Sequence, residues 1–468
     1  MQSLPWIELA PHAPYFQTED GRSWAPVGQN DAIIWPELEG LFRRRDLAGV
    51  ERYLANLAGH GVTCMRLMLE YAQGRHRYLE RPAGTFVPSM VQLWDDLFAL
   101  CERHGIRILL TPFDTFWMWL KWKSHPYNRA NGGPCRVRSR LLTCPKTRAF
   151  IKRRLLFATE RWGGSGALFA WDLWNELHPA YGGNDCGCFA EFVEDLSGTL
   201  REREMELYGR SHPQTVSLFG PLLLNNPGIE EVILRHPRLD FSSLHFYEQG
   251  TIDHPRNTVE PAAAFGRLTR EALAEVPPER PFLDSEHGPI HTYKDHHRTL
   301  PEAFDDEYFR HTQWAHLASG GAGGGMRWPN RHPHCLTAGM RDAQKALAGF
   351  LPLIDWGRFR RRNLNFEIAV EGRGCVAFGC GDDGQAVAWV LRVDRLDRKG
   401  MLRKDAEPVA VTVAIPGLAA GRYRVTPWDT VAGECLGCSE AVQEGDGRLR
   451  IPLPPLRTDL ALAVRRMG

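Results

Sequence analysis

Long apolar runs are missing from this 468-residue chain: no stretch of about 18 apolar residues occurs, so no segment reads as a bilayer-spanning helix. An excess of charge is missing too. Lys and Arg number 57 against 56 Asp and Glu, a formal charge of +1. That balance leaves no electrostatic footprint for nucleic acid or an anionic membrane, and the expected ligand is neutral. The opening MQSLPWIELAPHAPYF lacks a basic region followed by an apolar one, so the expected location is cytoplasmic unless a secreted form was trimmed. Low-complexity and strongly polar tracts are absent, which excludes a disordered class. Oligomeric state leaves no signature.

Cysteine is present in an odd number, 11, and mostly inside apolar patterns such as those around Cys64 and Cys101. Reduced, buried thiols are expected there rather than disulfides. Cys375, Cys380, Cys435 and Cys438 fall in the C-terminal part and could form a zinc site. Only Cys435-Leu-Gly-Cys438 has ligand-like spacing, and the reading without metal is favoured.

What is present is a repeating alternation. Strand-like Trp24–Asn30, Val62–Leu69, Ile106–Pro112, Leu168–Trp174, Thr215–Gly220, Phe241–Tyr247, Pro281–Gly288 and Gly320–Trp328 alternate with segments of helical periodicity. Asp46–His60 is typical of the latter, with Leu47, Val50, Leu54 and Leu57 on one face and Gly61 as its stop. Eight such units predict a (β/α)8 barrel with inserted loops over residues 1–357. The longest insertion, Thr115–Cys144, holds Trp117, Trp119, Trp122 and Tyr127 and is too aromatic for disorder. It is expected to wall a binding cleft. From residue 358 to 468 the periodicity becomes that of short strands between Gly, Asp and Pro turns, which predicts a small β-sandwich.

Two strands end in glutamates. Leu168–Trp174 runs into Asn175-Glu176, and PFLDSEHG ends in Glu286, 110 positions later. At about 35 to 40 residues per strand–helix unit, that gap is three strands, which puts the two carboxylates across the mouth of a closed barrel. Taken alone, an Asn-Glu pair reads more readily as a loop amide capping the next helix. The other strand ends shift the balance: Arg66 on strand two, Asp114 on three, His245 and Tyr247 on six, Trp328 on eight. Each has a structural alternative, an ion pair for Arg66, a satisfied imidazole for His245, a core filler for Trp328. Clustering at the C-terminal strand ends, where barrel chemistry sits, favours function. Two carboxylates about 5 Å apart can act as acid/base and nucleophile on a glycosidic bond. An Arg beside the nucleophile keeps it ionised, a Tyr can donate to it, an Asn can hold a sugar hydroxyl, and a Trp can stack under the ring. The 15 Trp suit sugar stacking and core packing alike. His287, His291, His296 and His297 invite a metal reading, which Gly288-Pro289 weakens by forbidding the helix that would align the first two. His332 and His334 either line the cleft or lie on a loop surface.

Over residues 24–355 the sequence resembles a clan A glycoside hydrolase, nearest to the family 5 cellulase and mannanase type. The resemblance implies that Glu176 is the general acid/base and Glu286 the nucleophile of a retaining hydrolase acting on a β-mannoside, β-glucoside or related sugar, without a cofactor. It also implies that Arg66, Asn175, His245, Tyr247 and Trp328 hold the supporting positions; Trp117 and Trp119, from the aromatic insertion, are expected as further substrate contacts. One position departs: the family commonly has His at the end of strand three, where this chain has Asp114. A carbohydrate-binding barrel that does not cut, or a transglycosylase using the same glutamates, remains the alternative.

Overall fold

A computed structural model describes residues 3–69, 77–290, 296–445 and 447–467. Eight parallel strands make a closed ring: Gly28–Asn30, Cys64–Met68, Arg107–Thr111, Leu168–Asp172, a fifth in two pieces (Gln214–Thr215 and Ser217–Phe219), Ser242–Phe246, Phe282–His287 and Met326–Arg327. Strand eight pairs with strand one, and the fifth, broken at Val216, pairs with strand four through its first half and with strand six through its second. Each strand is buried on both faces, which is why these segments read as continuous apolar runs.

The helices between them start and stop on local signals. Asp46 caps Leu47–Gly59 by accepting from the Gly49 amide at 2.8 Å, and Gly105, at φ 70°, ends Pro88–His104 in the left-handed conformation.

Strand eight is much shorter than the Gly320–Trp328 run suggests. Its glycines serve close packing instead: a Cβ on Gly323 would sit 2.1 Å from the Pro26 carbonyl oxygen, and one on Gly321 would strike the His316 ring. The first 23 residues, irregular by sequence, build a three-stranded antiparallel sheet, Ile7–Leu9, Phe16–Thr18 and Ser23–Trp24. Phe16 and Trp24 pack on Phe169, and Phe16 also packs on Phe241, at the N-terminal ends of strands four and six. The barrel floor is thereby plugged, and the opposite rim is left for the site.

Residues beyond 358 form two antiparallel sheets, a larger one built on Cys375–Gly381, Gln385–Arg392, Asp459–Arg466 and Gly421–Asp429, and a smaller one of Ala369–Glu371, Thr412–Ile415 and Leu449–Pro452. Strand Gln385–Arg392 sorts its side chains by alternation. Ala386, Ala388 and Val390 enter the sandwich core, whereas Val387, Trp389 and Leu391 join the barrel core. Helix Glu302–Ala318 lies between the two bodies and is buried nearly all round, polar residues included. Arg310 on that helix pairs with Asp459 of the sandwich, which also accepts from Trp389 Nε1 at 3.0 Å and from Thr430. No described helix is long and apolar enough to cross a membrane.

Candidate active site

Arg66, the third residue of strand two, has no solvent exposure and spreads its guanidinium across the barrel axis. Its Nη1 donates to Asn30 Oδ1 and to Glu286 Oε2, both at 2.9 Å. Its Nη2 donates to Asp172 Oδ2 at 2.7 Å and to Asn175 Oδ1, and its Nε reaches Asp172 at 3.2 Å. One cation thus ties strands one, two and seven to the C-terminal end of strand four and the tip beyond it. Burial alone would lower its pKa; Asp172 and Glu286 more than offset that and raise it, so the charge is permanent.

Beyond Asp172 the tip of strand four first stays with strand three: the Asn175 amide donates to Phe113 O at 2.9 Å. It then turns to strand five, with the Leu177 amide donating to Ser217 O at 3.3 Å. The switch is made at Glu176, at φ 50°, a left-handed conformation costing a non-glycine residue roughly 1 to 2 kcal/mol. That turn aims the carboxylate into the mouth, where Glu176 Oε1 lies 2.8 Å from His245 Nδ1. A bulge in strand seven fixes the pairing with strand six: Leu244 faces Asp284 and His245 faces Glu286, with Ser285 as the extra residue. Tyr247 donates to Glu286 Oε1 at 2.9 Å. An oxygen of Glu176, a ring nitrogen of His245 and an oxygen of Glu286 all lie within 4.8 Å of one another.

Burial dominates the electrostatics. It raises Glu176 to about 7, with Arg66 opposing and Asp172 reinforcing, and lowers His245 to about 4, so the imidazole is neutral and a single proton is shared in the contact between its Nδ1 and Glu176. Glu286 is raised as well, by burial first and also by the neighbouring Glu176, and Arg66 and the Tyr247 hydroxyl offset this only in part. Among the described residues these three side chains are the one set whose donor atoms could converge on a metal. Both oxygens of Glu286 are already engaged, one of them by the Arg66 cation, which makes the set a poor host for a second positive charge.

A cleft of about 420 Å³ opens over this group, walled by Phe116, Trp117, Phe219, Tyr247 and Trp328, with Asn175, His178 and Asn330 as polar points. Trp328 is held edge-on by Trp35 at 5.0 Å, and His334 stacks on the far partner, Trp35, at 5.0 Å. Asp114 lines the cleft at the end of strand three. Its carboxylate caps helix Thr115–Leu120, accepting from Phe116 N at 3.3 Å and Trp117 N at 2.6 Å, and it accepts from the Asn175 side-chain amide.

The structure does not bring every expected residue to the cleft. The stretch from Thr115 is a helix followed by three short turns rather than one open loop, and Trp119 faces outward, 47% exposed beneath the Arg138 guanidinium. Trp122 stacks on His125, away from the cleft lining. His287 is buried behind strand seven against Asp284, its Nδ1 2.6 Å from the carboxylate. His291 lies outside the described residues. His296 and His297 approach each other at 3.6 Å with their rings tilted by 44°, His296 also approaches His332, and neither pair joins a larger donor set among the described residues. The four C-terminal cysteines do not converge either. Cys375 and Cys380 share a strand that three others separate from the one carrying Cys435.

Sequence reasoning missed Asn30, Asp172 and Ser217, which hold Arg66 from below. The only signal was charge within an apolar run, Asp172 in LFAWDLW. Phe116, His178, Phe219 and Asn330 also went unread.

No known family profile and no curated protein matches the sequence. Solved structures do. A glycoside hydrolase family 5 protein from Bacteroides vulgatus superposes with a TM-score of 0.59 at 10% identity, over 99% of this chain and 95% of its own. A family 5 mannosidase from Rhizomucor miehei, in complex with mannosyl-fructose, gives 0.51 at 15% identity over 69% of this chain and 85% of its own. The chain has the fold of a clan A, family 5 glycoside hydrolase. An endo-β-1,4-mannanase from Thermotoga petrophila shares that family 5 fold, with a TM-score of 0.50 at 12% identity over 84% of this chain and 95% of its own.

Proposed function

We propose that this protein is a retaining β-glycosidase that cleaves a β-mannoside, β-glucoside or related neutral sugar by double displacement. The observation that carries this reading is the Glu176–Glu286 pair, with carboxylate oxygens within 4.8 Å of each other at the ends of strands four and seven. At such a separation the second carboxylate reaches the anomeric carbon itself; inverting enzymes hold their carboxyls about 6.5 to 9.5 Å apart to admit a water.

Environment divides the labour. Glu286 accepts from Arg66 and Tyr247, two donors that favour its anion, and serves as the nucleophile. Glu176, raised to about 7 by burial, keeps its proton near neutral pH and delivers it to the departing oxygen. Attack of Glu286 on the anomeric carbon breaks the glycosidic bond and leaves a glycosyl ester. Glu176, now a carboxylate, takes a proton from water, which displaces Glu286 and restores both groups. Asn175 is positioned to hold the sugar 2-hydroxyl, and Trp328 to stack under the ring. The mannosidase and mannanase names among the fold neighbours make mannosides the first substrates to try.

A panel of aryl β-mannoside, glucoside, galactoside and fucoside tests the reading. Wild type turns over at least one with the β configuration kept in the first product, and Glu286→Ala lowers kcat by roughly 10³-fold or more while sugar binding persists. Near-normal rates in Glu286→Ala, or an inverted product, would defeat the assignment. Sugar binding without cleavage of any member would leave the binding-barrel alternative standing.

A further inference from the structure

Cys435 and Cys438 lie three positions apart in the outer hairpin of the sandwich, and both are exposed. On a regular strand, residues so spaced point to opposite faces and stand about 10 Å apart. Here their sulfurs are 3.7 Å apart. The cause is a bulge. Trp428 pairs with Cys435 and Val425 with Ser439, so three steps on strand Gly421–Asp429 face four on its partner. The extra residue is absorbed at Gly437, whose φ of 106° is open to glycine and strained for other residues. The Leu436 amide, donating to Pro427 O at 2.9 Å, pins the bulge from the other side.

That spacing has a chemical meaning. A tetrahedral ion with metal–sulfur bonds of about 2.3 Å holds two thiolates about 3.8 Å apart, whereas disulfide sulfurs sit at about 2.05 Å. We propose that Cys435 and Cys438 form a two-thiolate binding site for one soft divalent cation of the zinc and cadmium class. Binding releases the two thiol protons as two metal–sulfur bonds form, and the two remaining tetrahedral positions face water. The site stands apart from the glycosidase reading and from Cys375 and Cys380, which the sheet keeps away.

Cadmium is the probe. The full-length chain, reduced and stripped with a chelator, is titrated with cadmium ions while the ultraviolet thiolate-to-cadmium charge-transfer band is followed, and native mass spectrometry counts bound ions. The band is expected to saturate at one ion per chain, with a mass gain of one cadmium less two protons, and cadmium should displace zinc bound beforehand. Cys435→Ser and Cys438→Ser should each abolish the band, and Cys375→Ser should leave it unchanged. Gly437→Val, which keeps both thiols but strains the bulge, should weaken binding by about tenfold or more. Absence of the band in wild type, its survival in Cys435→Ser, or unchanged affinity in Gly437→Val would overturn the proposal. Exposed Cys→Ala variants at the same positions guard against an effect of the serine hydroxyl.

Discussion

Arg66 Nη1 donates to Glu286 Oε2 at 2.9 Å, with the arginine side chain wholly withdrawn from solvent. The same guanidinium neutralises Asp172 at 2.7 Å, so one buried cation serves two buried anions. Its removal would leave both without compensation.

Arg66→Met is therefore expected to destabilise the fold by about 3 to 5 kcal/mol and to abolish turnover. Arg66→Lys should rescue little, since an ammonium cannot reproduce donation to Asn30, Asp172, Asn175 and Glu286 from one planar fork. Denaturant unfolding beside kcat measures both. Wild-type activity in the lysine variant would contradict the fork's role.

The pH profile follows from Glu176. A general acid works only while protonated, and burial holds this one at about 7, so kcat/KM should fall as pH rises through that value. His245, lowered to about 4, is already neutral there and does not produce the limb. Glu176→Gln should flatten the alkaline limb along with its loss of rate on poorly activated substrates. A limb unchanged in that variant would place the titration elsewhere.

Asp114 acts through Asn175. It accepts from the Asn175 amide nitrogen while Arg66 donates to the amide oxygen, which sets the direction the amide faces. Asp114→Ala should cost about 1 kcal/mol as a lost helix cap. It should also lower kcat/KM on a parent glycoside by about tenfold or more, and much less on the 2-deoxy analogue, where Asn175 has no hydroxyl to hold. Equal losses on the two substrates would reduce Asp114 to a capping residue.

Acid stability tests the join between barrel and sandwich. Burial would raise Asp459, but Arg310, His311 and the Thr430 hydroxyl overcome it and hold the carboxyl at about 2. Against an unfolded value of about 3.9, the depressed pKa stabilises the fold by about 2 to 3 kcal/mol above pH about 4, and that contribution is lost as pH falls toward about 2. Asp459→Asn should show a shallower decline across this window in denaturant titrations. An identical slope would assign the acid sensitivity to other carboxyls.

Polar residues at the tips of apolar strands were legible because each breaks a local pattern: Arg66, Asn175, Glu176, His245, Tyr247 and Glu286 all do so. The residues beneath them were not. Asn30, Asp172 and Ser217 face inward only by virtue of barrel register, which depends on how the ring closes and leaves no periodic trace in the chain. Trp119 was misplaced for a geometric reason. Once Thr115–Leu120 coils into a helix, positions 117 and 119 lie about 200° apart around it, so Trp117 enters the cleft and Trp119 faces away. Asp114, an N-cap residue, was the overlooked sign of that helix. The eighth strand was overread because a glycine-rich segment looks the same whether it pairs in a sheet or threads between packed neighbours.

Strand Gln385–Arg392 gives alternate side chains to two different interiors. A single inserted or deleted codon there would turn Trp389 away from the barrel and Ala388 and Val390 away from the sandwich in one stroke. Such a seam cannot be cut and rejoined like a tethered module, so the two halves are expected to unfold as a unit.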